Sequence, residues 1–263
     1  MMTGFATNAI QVTQRGRTAT VRLNRPERLN ALNPEMIKDL SMCLKEISLS
    51  DEIDILVLTG NERAFSAGGD IKDLLARQRG EAEFEHIMEQ IADIVVTLYS
   101  MSALTISAVS GPAAGLGFSL ALATDYVIAH RDSKFAMNFI GIGLIPDGGG
   151  HFFLEKRIGE DKAKHLIWEG NILSAEEALK KELIHEVADN LEEAVEAKIQ
   201  EWLQKPIKAM IRTKKILAEK NRTELLKTLE LEKYGQLAMR ATKDHAEGIA
   251  AFLEKRNPVF KGE

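Results

Sequence analysis

The chain has 263 residues, of which 45% are hydrophobic and 28% are charged. This length predicts a globular protein with a sizeable core, in one large domain or in a main domain with a smaller appendage. The net charge of −5 gives no reason to expect nucleic acid as a partner. A single cysteine, Cys43, excludes an intramolecular disulfide and is typical of a reducing cytosol. The sequence lacks the run of roughly eighteen apolar residues that a membrane span needs, so we predict a cytoplasmic protein with no membrane partner.

The first part of the chain alternates predicted strands with predicted helices. Thr18–Leu23 alternates in period two and predicts a strand. Residues 34–49 carry apolar side chains at helical spacing, with Asn33 as the N-cap. This alternation favours an α/β fold. The other predicted strands are 53–58, Leu104–Val109, 126–129 and 134–137, and the other predicted helices begin near Ile71 or cover 83–99 and 115–124.

Beyond about residue 160 the pattern predicts helices only. A helical region without strands must bury its apolar stripes on the core or on another subunit, so we expect oligomerisation through this part of the chain. We therefore divide the chain into an α/β core, residues 1–200, and a C-terminal helical oligomerisation region, residues 201–263. The predicted helices are 159–169, one opened by a capping box at Ser174, 191–204, 206–220, 224–240 and 245–255.

Three glycine-bearing segments follow predicted strands. Glycine lets a backbone approach a ligand closely, and the start of a helix offers unpaired N–H groups. Two such turns facing one another could hold an oxyanion between two N–H donors, each worth roughly 3 kcal/mol of transition-state stabilisation. Taken singly, each segment is also typical of a tight turn in any α/β protein, and none matches a dinucleotide or phosphate loop. The segments are 65–72, 111–117 and 148–150.

Five motifs, which together span essentially the whole chain, occur in the order found in one known family. They are Leu23-Asn-Arg-Pro-Glu-Arg-Leu-Asn-Ala-Leu32, Phe65-Ser-Ala-Gly-Gly-Asp70, Val109-Ser-Gly-Pro-Ala-Ala-Gly-Leu-Gly117, Gly143-Leu-Ile-Pro-Asp-Gly-Gly149 and Phe252-Leu-Glu-Lys-Arg-Asn-Pro-Val-Phe-Lys261. On these motifs the chain resembles the crotonase, or enoyl-CoA hydratase/isomerase, superfamily. Its Ile-Pro-Asp-Gly-Gly motif, with an aspartate at the third position, resembles that of the isomerase-like branch of this superfamily.

The resemblance implies a fold, an assembly and a ligand. The fold is an α/β spiral of ββα turns followed by a helical trimerisation region, and the assembly is a homo-trimer or hexamer. The substrate is an acyl-CoA thioester, with coenzyme A as part of the substrate. We predict no metal or further cofactor, because the six histidines show no paired ligand spacing with carboxylates or cysteine. By motif position, the backbone N–H groups of Gly69 and Leu116 form the oxyanion hole. The coenzyme A contacts fall on Arg28, Ala67, Phe260 and Lys261, and the last two come from a tail that often belongs to a neighbouring subunit.

The resemblance also shows where this chain departs from the hydratases. Their two catalytic glutamates fall at Ser119 and Phe139, and neither side chain can exchange protons as a carboxylate does. Asp147 is then the candidate acid/base for moving a proton between two carbons of the acyl group. The alternative for Asp147 is a structural one, in which it forms a turn or caps the helix that follows. For the neighbouring His151, a first-turn helix position is expected.

We therefore expect an enoyl-CoA isomerase that works through an enolate held in the oxyanion hole. Three alternatives stay open at this point. They are a ring-1,2-epoxyphenylacetyl-CoA isomerase, a conventional enoyl-CoA hydratase, and a protein that binds acyl-CoA without catalysis.

Overall fold

A six-stranded sheet forms the centre of the molecule in the computed structural model, which describes residues 7–71 and 80–263. Its strands are β1 (Ile10–Arg15), β2 (Thr18–Leu23), β3 (Ile55–Thr59), β4 (Leu104–Val109), β6 (Tyr126–His130) and β9 (Glu186–Ala188), adjacent in that order. The β1–β2 pair is an antiparallel hairpin, and every later pair is parallel.

A second, three-stranded sheet lies beside the first. It contains β5 (Pro112–Ala114), β7 (Lys134–Ala136) and β8 (Ile172–Ser174). Strands β4 and β6 each continue after a short turn into a strand of this second sheet, β5 and β7 respectively. Because the chain passes repeatedly from one sheet to the other, the two sheets form the two layers of the predicted spiral of ββα turns.

The helices cover the sheets and extend the chain beyond them. Local chemistry sets several of their ends: the Asn33 side chain accepts from Met36 N at 3.0 Å, and Ser174 with Glu177 forms the predicted capping box. The described helices are α1 (Pro34–Ser48), α2 (Glu81–Ser100), α3 (Leu116–Leu122), α4 (Gly150–Ile158), α5 (Glu160–Glu169), α6 (Ala175–Lys180), α7 (Leu191–Leu203), α8 (Ile207–Arg240) and α9 (Lys243–Glu254), with 3-10 helices at Pro26–Arg28 and Asn138–Ile142.

Both faces of the six-stranded sheet are buried. One face packs against α1, α2 and α3 in the main core, which contains fully buried phenylalanines at 65, 118, 135 and 152. A second cluster on the other face joins β3, β4 and β6 to α7 and α8, with Trp202 and Ile211 among its members. Because both faces are covered, all six residues of β4 are buried, including the polar Thr105 and Ser107. Cys43 lies in the main core as predicted, where burial raises the pKa of its thiol to about 12.

Two predictions for the C-terminal part are wrong. The region beyond residue 160 is not purely helical, because β8 and β9 each add a three-residue strand to a sheet. Residues 206–220 and 224–240 are not separate helices but parts of the continuous α8. The helix predicted to begin near Ile71 runs into residues 72–79, which lie outside the described part of the chain. Within the described ranges, every helix is too short or too polar to cross a membrane.

The C-terminal region is attached to the core by its longest helix. The buried Lys214 of α8 donates to the Leu98 and Ala103 carbonyl oxygens, at 2.9 Å each, and to the Asp125 carboxylate at 2.8 Å. Leu225 and Leu229 of α8 extend into the main core. The proposed boundary near residue 200 stays a prediction, and the helix that follows it packs on the sheet domain along its length.

Candidate active site

The turn that carries Asp147 lies between the 3-10 helix Asn138–Ile142 and helix α4. The Asp147 carbonyl accepts from Gly150 N at 3.1 Å, which closes the turn. Gly148 and Gly149 both have positive φ, +62° and +76°, so the sequence provides glycine where the backbone needs it. Helix α4 has Gly149 as its N-cap and no side-chain cap. The backbone of Asp147 therefore forms the turn, but its carboxylate does not cap the helix.

The Asp147 carboxyl group is shielded from solvent and poorly partnered. Its Oδ1 atom is buried and has no hydrogen-bond partner among the described residues. Its Oδ2 atom lies 3.4 Å from Gln236 Nε2. Desolvation, with a smaller contribution from the negative charge of Glu232, holds the pKa of Asp147 well above its ordinary value. A carboxylate in this state is a stronger base than one on the surface.

Helix α8 supplies two side chains that hold this turn from outside. The buried carboxylate of Glu232 accepts from Gly149 N at 2.7 Å and from His151 N at 3.1 Å. Its Oε1 also lies 2.8 Å from His151 Nδ1. Gln236, one helical turn farther on, donates to the Ile145 carbonyl at 2.6 Å. Sequence reasoning missed both residues, because on α8 alone they look like ordinary polar positions of a long helix.

Ser119 and Phe139 lie beside this turn, and neither brings a carboxylate. The hydroxyl of the fully buried Ser119 donates to the Asp147 carbonyl oxygen at 2.7 Å. The Phe139 ring is buried and lies close to Gly115, where a Cβ would come within 3.5 Å of the ring. One of the two positions therefore supports Asp147, and the other places an aromatic wall next to the start of α3.

The two turns predicted to form the oxyanion hole are in direct contact. Gly68 has φ +91°, and a Cβ there would lie 2.7 Å from the Ala114 carbonyl oxygen, so only glycine permits this approach. Neither the Gly69 N–H nor the Leu116 N–H donates to a residue in the described part of the chain. A Cβ on Gly148 would lie 2.6 Å from Leu116 Cδ1, so the Asp147 turn is adjacent as well. The fold thus brings together Gly69, Leu116 and Asp147 from three separate motifs.

Residues 13–263 match the enoyl-CoA hydratase/isomerase family. This chain belongs to that family. It is 46% identical to the Bacillus subtilis (strain 168) protein YhaR, whose name places it among the enoyl-CoA hydratase/isomerases, over 96% of this chain and 98% of that protein. It is 39% identical to the 1,2-epoxyphenylacetyl-CoA isomerase of Escherichia coli (strain K12), over 93% of this chain and 95% of that enzyme.

A solved structure confirms the predicted crotonase-type α/β fold. The crystal structure of an enoyl-CoA hydratase from Mycobacterium avium subsp. paratuberculosis K-10 superposes with a TM-score of 0.87 at 30% sequence identity. The match covers 96% of this chain and 98% of that one. The protein is therefore an enzyme of the enoyl-CoA hydratase/isomerase family, with the C-terminal helical region that the motifs implied.

In this member of the family, two of the predicted coenzyme A contacts lie together beside the oxyanion turns. Ala67 N donates to the Leu29 carbonyl at 3.0 Å, which places Ala67 next to the exposed Arg28. Asp70 accepts from both terminal nitrogens of Arg25 at 3.1 Å, so its carboxylate ties the Gly69 turn to the Arg25–Arg28 segment. The edge formed by Arg28, Ala67 and Gly69 is open to solvent.

The other two predicted contacts lie on the C-terminal tail, which folds back on α9 of the same chain. Lys261 N and Gly262 N donate to the Asp244 carboxylate at 2.7 and 2.8 Å. Phe260 lines a cavity of about 430 Å³ with Ile140, Leu144 and Met239, among others. Within the described part of this one chain, no hydrogen bond or ion pair joins the tail to Arg28 or Ala67. The role of Phe260 and Lys261 therefore stays a prediction that depends on a neighbouring subunit.

A larger cavity, of about 610 Å³, lies away from this site. Helices α4, α5 and α6 form it, and its lining mixes basic side chains such as Arg157 and Lys162 with acidic ones such as Glu169. Asp147, Gly69 and Leu116 do not line it. The Asp147 turn differs from this cavity, because it combines a shielded acid with two neighbouring N–H groups that have no acceptor among the described residues.

Proposed function

We propose that this enzyme isomerises the double bond of an enoyl-CoA thioester between the 3- and 2-positions, with Asp147 as the acid/base. The observation that supports this most is the state of the Asp147 carboxyl group. Its Oδ1 atom is shielded and lies near the turns of Gly69 and Leu116. Among the described residues, this oxygen has no hydrogen-bond partner and the Gly69 and Leu116 N–H groups have no acceptor. An acid that only stabilised a turn would use its oxygens as hydrogen-bond acceptors.

The reaction needs one group that takes a proton from the α carbon and returns it at the γ carbon. The Asp147 carboxylate removes the α proton, and the negative charge moves onto the thioester oxygen as a dienolate. The Gly69 and Leu116 N–H groups hold that oxygen, each stabilising the charge by roughly 3 kcal/mol. The protonated Asp147 then delivers the proton to the γ carbon. Its raised pKa favours both steps, because the base is stronger and its protonated form persists.

Hydration of a 2-enoyl thioester is less well supported. It needs a positioned water and two proton-exchanging groups, and the corresponding positions hold Ser119 and Phe139. The Ser119 hydroxyl is already donated to the Asp147 carbonyl, and the Phe139 ring disfavours a bound water. In this proposal coenzyme A is part of the substrate, bound through Arg28, Ala67, Phe260 and Lys261, and the reaction requires no further cofactor or metal.

A second candidate is isomerisation of a ring-1,2-epoxyphenylacetyl-CoA. The observation that favours it is the 39% identity to the 1,2-epoxyphenylacetyl-CoA isomerase of Escherichia coli (strain K12). This reaction would use the same thioester site and the same aspartate. The two candidate reactions differ in the acyl group of the substrate.

A panel of 2-enoyl, 3-enoyl, dienoyl and ring-epoxide CoA thioesters tests the proposal by spectroscopic assay. Conversion of 3-enoyl to 2-enoyl thioester supports double-bond isomerisation, and conversion of the ring epoxide alone supports the second candidate. Formation of a 3-hydroxyacyl product would instead identify a hydratase. Binding of all four thioesters without turnover would identify a non-catalytic acyl-CoA-binding protein.

The Asp147→Asn variant tests the acid/base itself. We expect kcat to fall about a thousand-fold, because the amide cannot exchange the proton, while acyl-CoA affinity stays near that of the wild type. Asp161→Asn is the matched control, since it makes the same change at an exposed position of α5. Near-wild-type turnover in Asp147→Asn would show that another group carries the proton.

A further inference from the structure

We infer that Glu232 of helix α8 is a positioning residue for the acid/base Asp147, holding the catalytic turn from the C-terminal region. This inference rests on the function proposed above. Glu232 has no place in the motifs by which the family was identified. It touches neither Gly69 nor Leu116 in any described hydrogen bond, and it acts through Asp147.

The geometry shows how Glu232 holds the turn. Its Oε2 accepts from Gly149 N at 2.7 Å, and its Oε1 accepts from His151 N at 3.1 Å. These N–H groups belong to the N-cap and the first turn of α4, which has no side-chain cap of its own. A carboxylate from a distant helix therefore supplies the cap, where the partial positive charge of a helix N-terminus favours an anion. His151 Nδ1, at 2.8 Å, adds a third contact to the same carboxylate.

Helix α8 holds the other end of the turn with its next inward-facing side chain. Gln236 Nε2 donates to the Ile145 carbonyl at 2.6 Å and lies 3.4 Å from Asp147 Oδ2. Glu232 thus fixes the backbone after Asp147, and Gln236 fixes the backbone before it. The Asp147 side chain is held through its backbone and its Oδ2, and its Oδ1 has no partner among the described residues. This leaves the catalytic oxygen free for substrate.

Glu232 also sets the charge that Asp147 experiences. Both are carboxylates, and the charge of Glu232 adds to desolvation in raising the pKa of Asp147. In the described part of the chain, Asp147 and Glu232 face each other, and the other titratable group that faces them is His151 of α4. Glu232 accepts N–H groups on both of its oxygens, whereas Asp147 Oδ1 has no partner among the described residues.

The Glu232→Gln variant separates position from charge. A glutamine keeps an acceptor oxygen for only one of the two backbone N–H groups, and it removes the negative charge, so the pKa of Asp147 should fall. Since the base works when ionised, we expect the acidic limb of the kcat–pH profile to move to lower pH, with KM unchanged. Glu232→Ala removes the support as well, and we expect about a hundred-fold loss in kcat from misplacement of the carboxyl. Glu230→Gln is the control, because it removes the same charge from an exposed position on the same helix.

Two further measurements make the outcome decisive. A 13C titration of aspartate carboxyls, in which the Asp147 signal is the one missing from Asp147→Asn, should show a lower pKa for Asp147 in Glu232→Gln. The acidic limb should persist in His151→Ala, which excludes the imidazole as its source. If Asp147→Asn is inactive while Glu232→Gln keeps the wild-type limb and the wild-type Asp147 titration, the inference fails and the proposed function stands. If Asp147→Asn keeps its turnover, the proposed function fails, and the role of Glu232 fails with it.

Discussion

The reactivity proposed for Asp147 depends on the hydrogen bonds that hold its backbone and on the missing partner of its Oδ1 atom. The Ser119 hydroxyl and Gly150 N–H both donate to its carbonyl oxygen, at 2.7 and 3.1 Å. The buried Oδ1, in contrast, has no described partner. Ionising a carboxyl group that is buried without a partner costs more free energy than ionising an exposed aspartate. The position that suits the proposed catalytic role of Asp147 is therefore unfavourable for stability.

The raised pKa of Asp147 predicts a pH-dependent cost to stability. Between its ordinary pKa of 3.8 and the raised native value, the native protein keeps a proton that the unfolded chain has lost. The free energy of unfolding therefore decreases as the pH rises through this window. Asp147→Asn has no proton to lose, so we expect it to resist urea unfolding better than the wild type at neutral pH. The difference should narrow as the pH falls toward 3.8.

Urea titrations of both proteins at several pH values would measure this effect. Asp51→Asn serves as the control, because it makes the same change at an exposed position in a turn, outside any helix. A stability difference for Asp147→Asn that was the same at every pH would contradict the raised pKa.

At the level of elements, the sequence predicts those whose signals are local. Strands β2 and β4 have the predicted bounds, and α1 begins at the predicted Asn33 cap. Strands β8 and β9 have three residues each, too few to show a period, and they form only because β7 and β6 offer partners. The predicted break near Asn221 is absent, since its side chain donates to the Leu217 carbonyl and to Tyr99 Oη, which keeps it within α8.

In the candidate site, too, the residues with a local sequence signal were predicted and those that depend on distant contacts were not. Asp147, Gly69 and Leu116 were predicted because they stand in motifs, and the fold brings their turns together. Glu232 was not predicted, because its contacts with Gly149 and His151 join parts of the chain 83 and 81 residues apart. Only tertiary packing shows that this glutamate faces inward.

The Asp147 turn predicts that Gly148→Ala damages both stability and activity. Its φ of +62° would strain an alanine by about 1 kcal/mol, and the new Cβ would displace the Leu116 side chain beside the oxyanion hole. Gly16→Ala is the matched control, since Gly16 has a similar φ of +57° and no atoms within 4 Å of the added carbon. We expect both variants to unfold more easily and only Gly148→Ala to lose kcat as well. Equal activity in the two would mean that the turn and Leu116 are not coupled.

At the level of the whole molecule, α8 connects the site to the outer surface. Lys214 fixes one end of the helix to the core, and Glu232 holds the Asp147 turn near the other end. The opposite side of the helix exposes large apolar side chains, whereas the solvent-facing side of a helix is usually polar. They are Ile216, Leu217, Leu231 and Tyr234, each more than half exposed in the single chain.

This exposed apolar surface, together with the family resemblance, predicts that the chain assembles with copies of itself. We expect light scattering to give a mass three or six times 29.2 kDa. Replacing Ile216 and Leu217 together with glutamate should lower that mass, because the charges would be buried without partners at an interface. Glu219→Gln, also exposed on α8, should keep the assembly and serves as the control. A wild-type mass of one chain would contradict the prediction.

The same variant separates assembly from chemistry. Asp147, Gly69, Leu116 and Glu232 all lie within one chain, so loss of the neighbour should leave kcat close to the wild-type value. The predicted coenzyme A contacts of Phe260 and Lys261 come from a neighbouring tail, and their loss should raise KM for the acyl-CoA. A fall in kcat with unchanged KM would instead mean that the interface supports the Asp147 turn through α8 rather than the coenzyme A site.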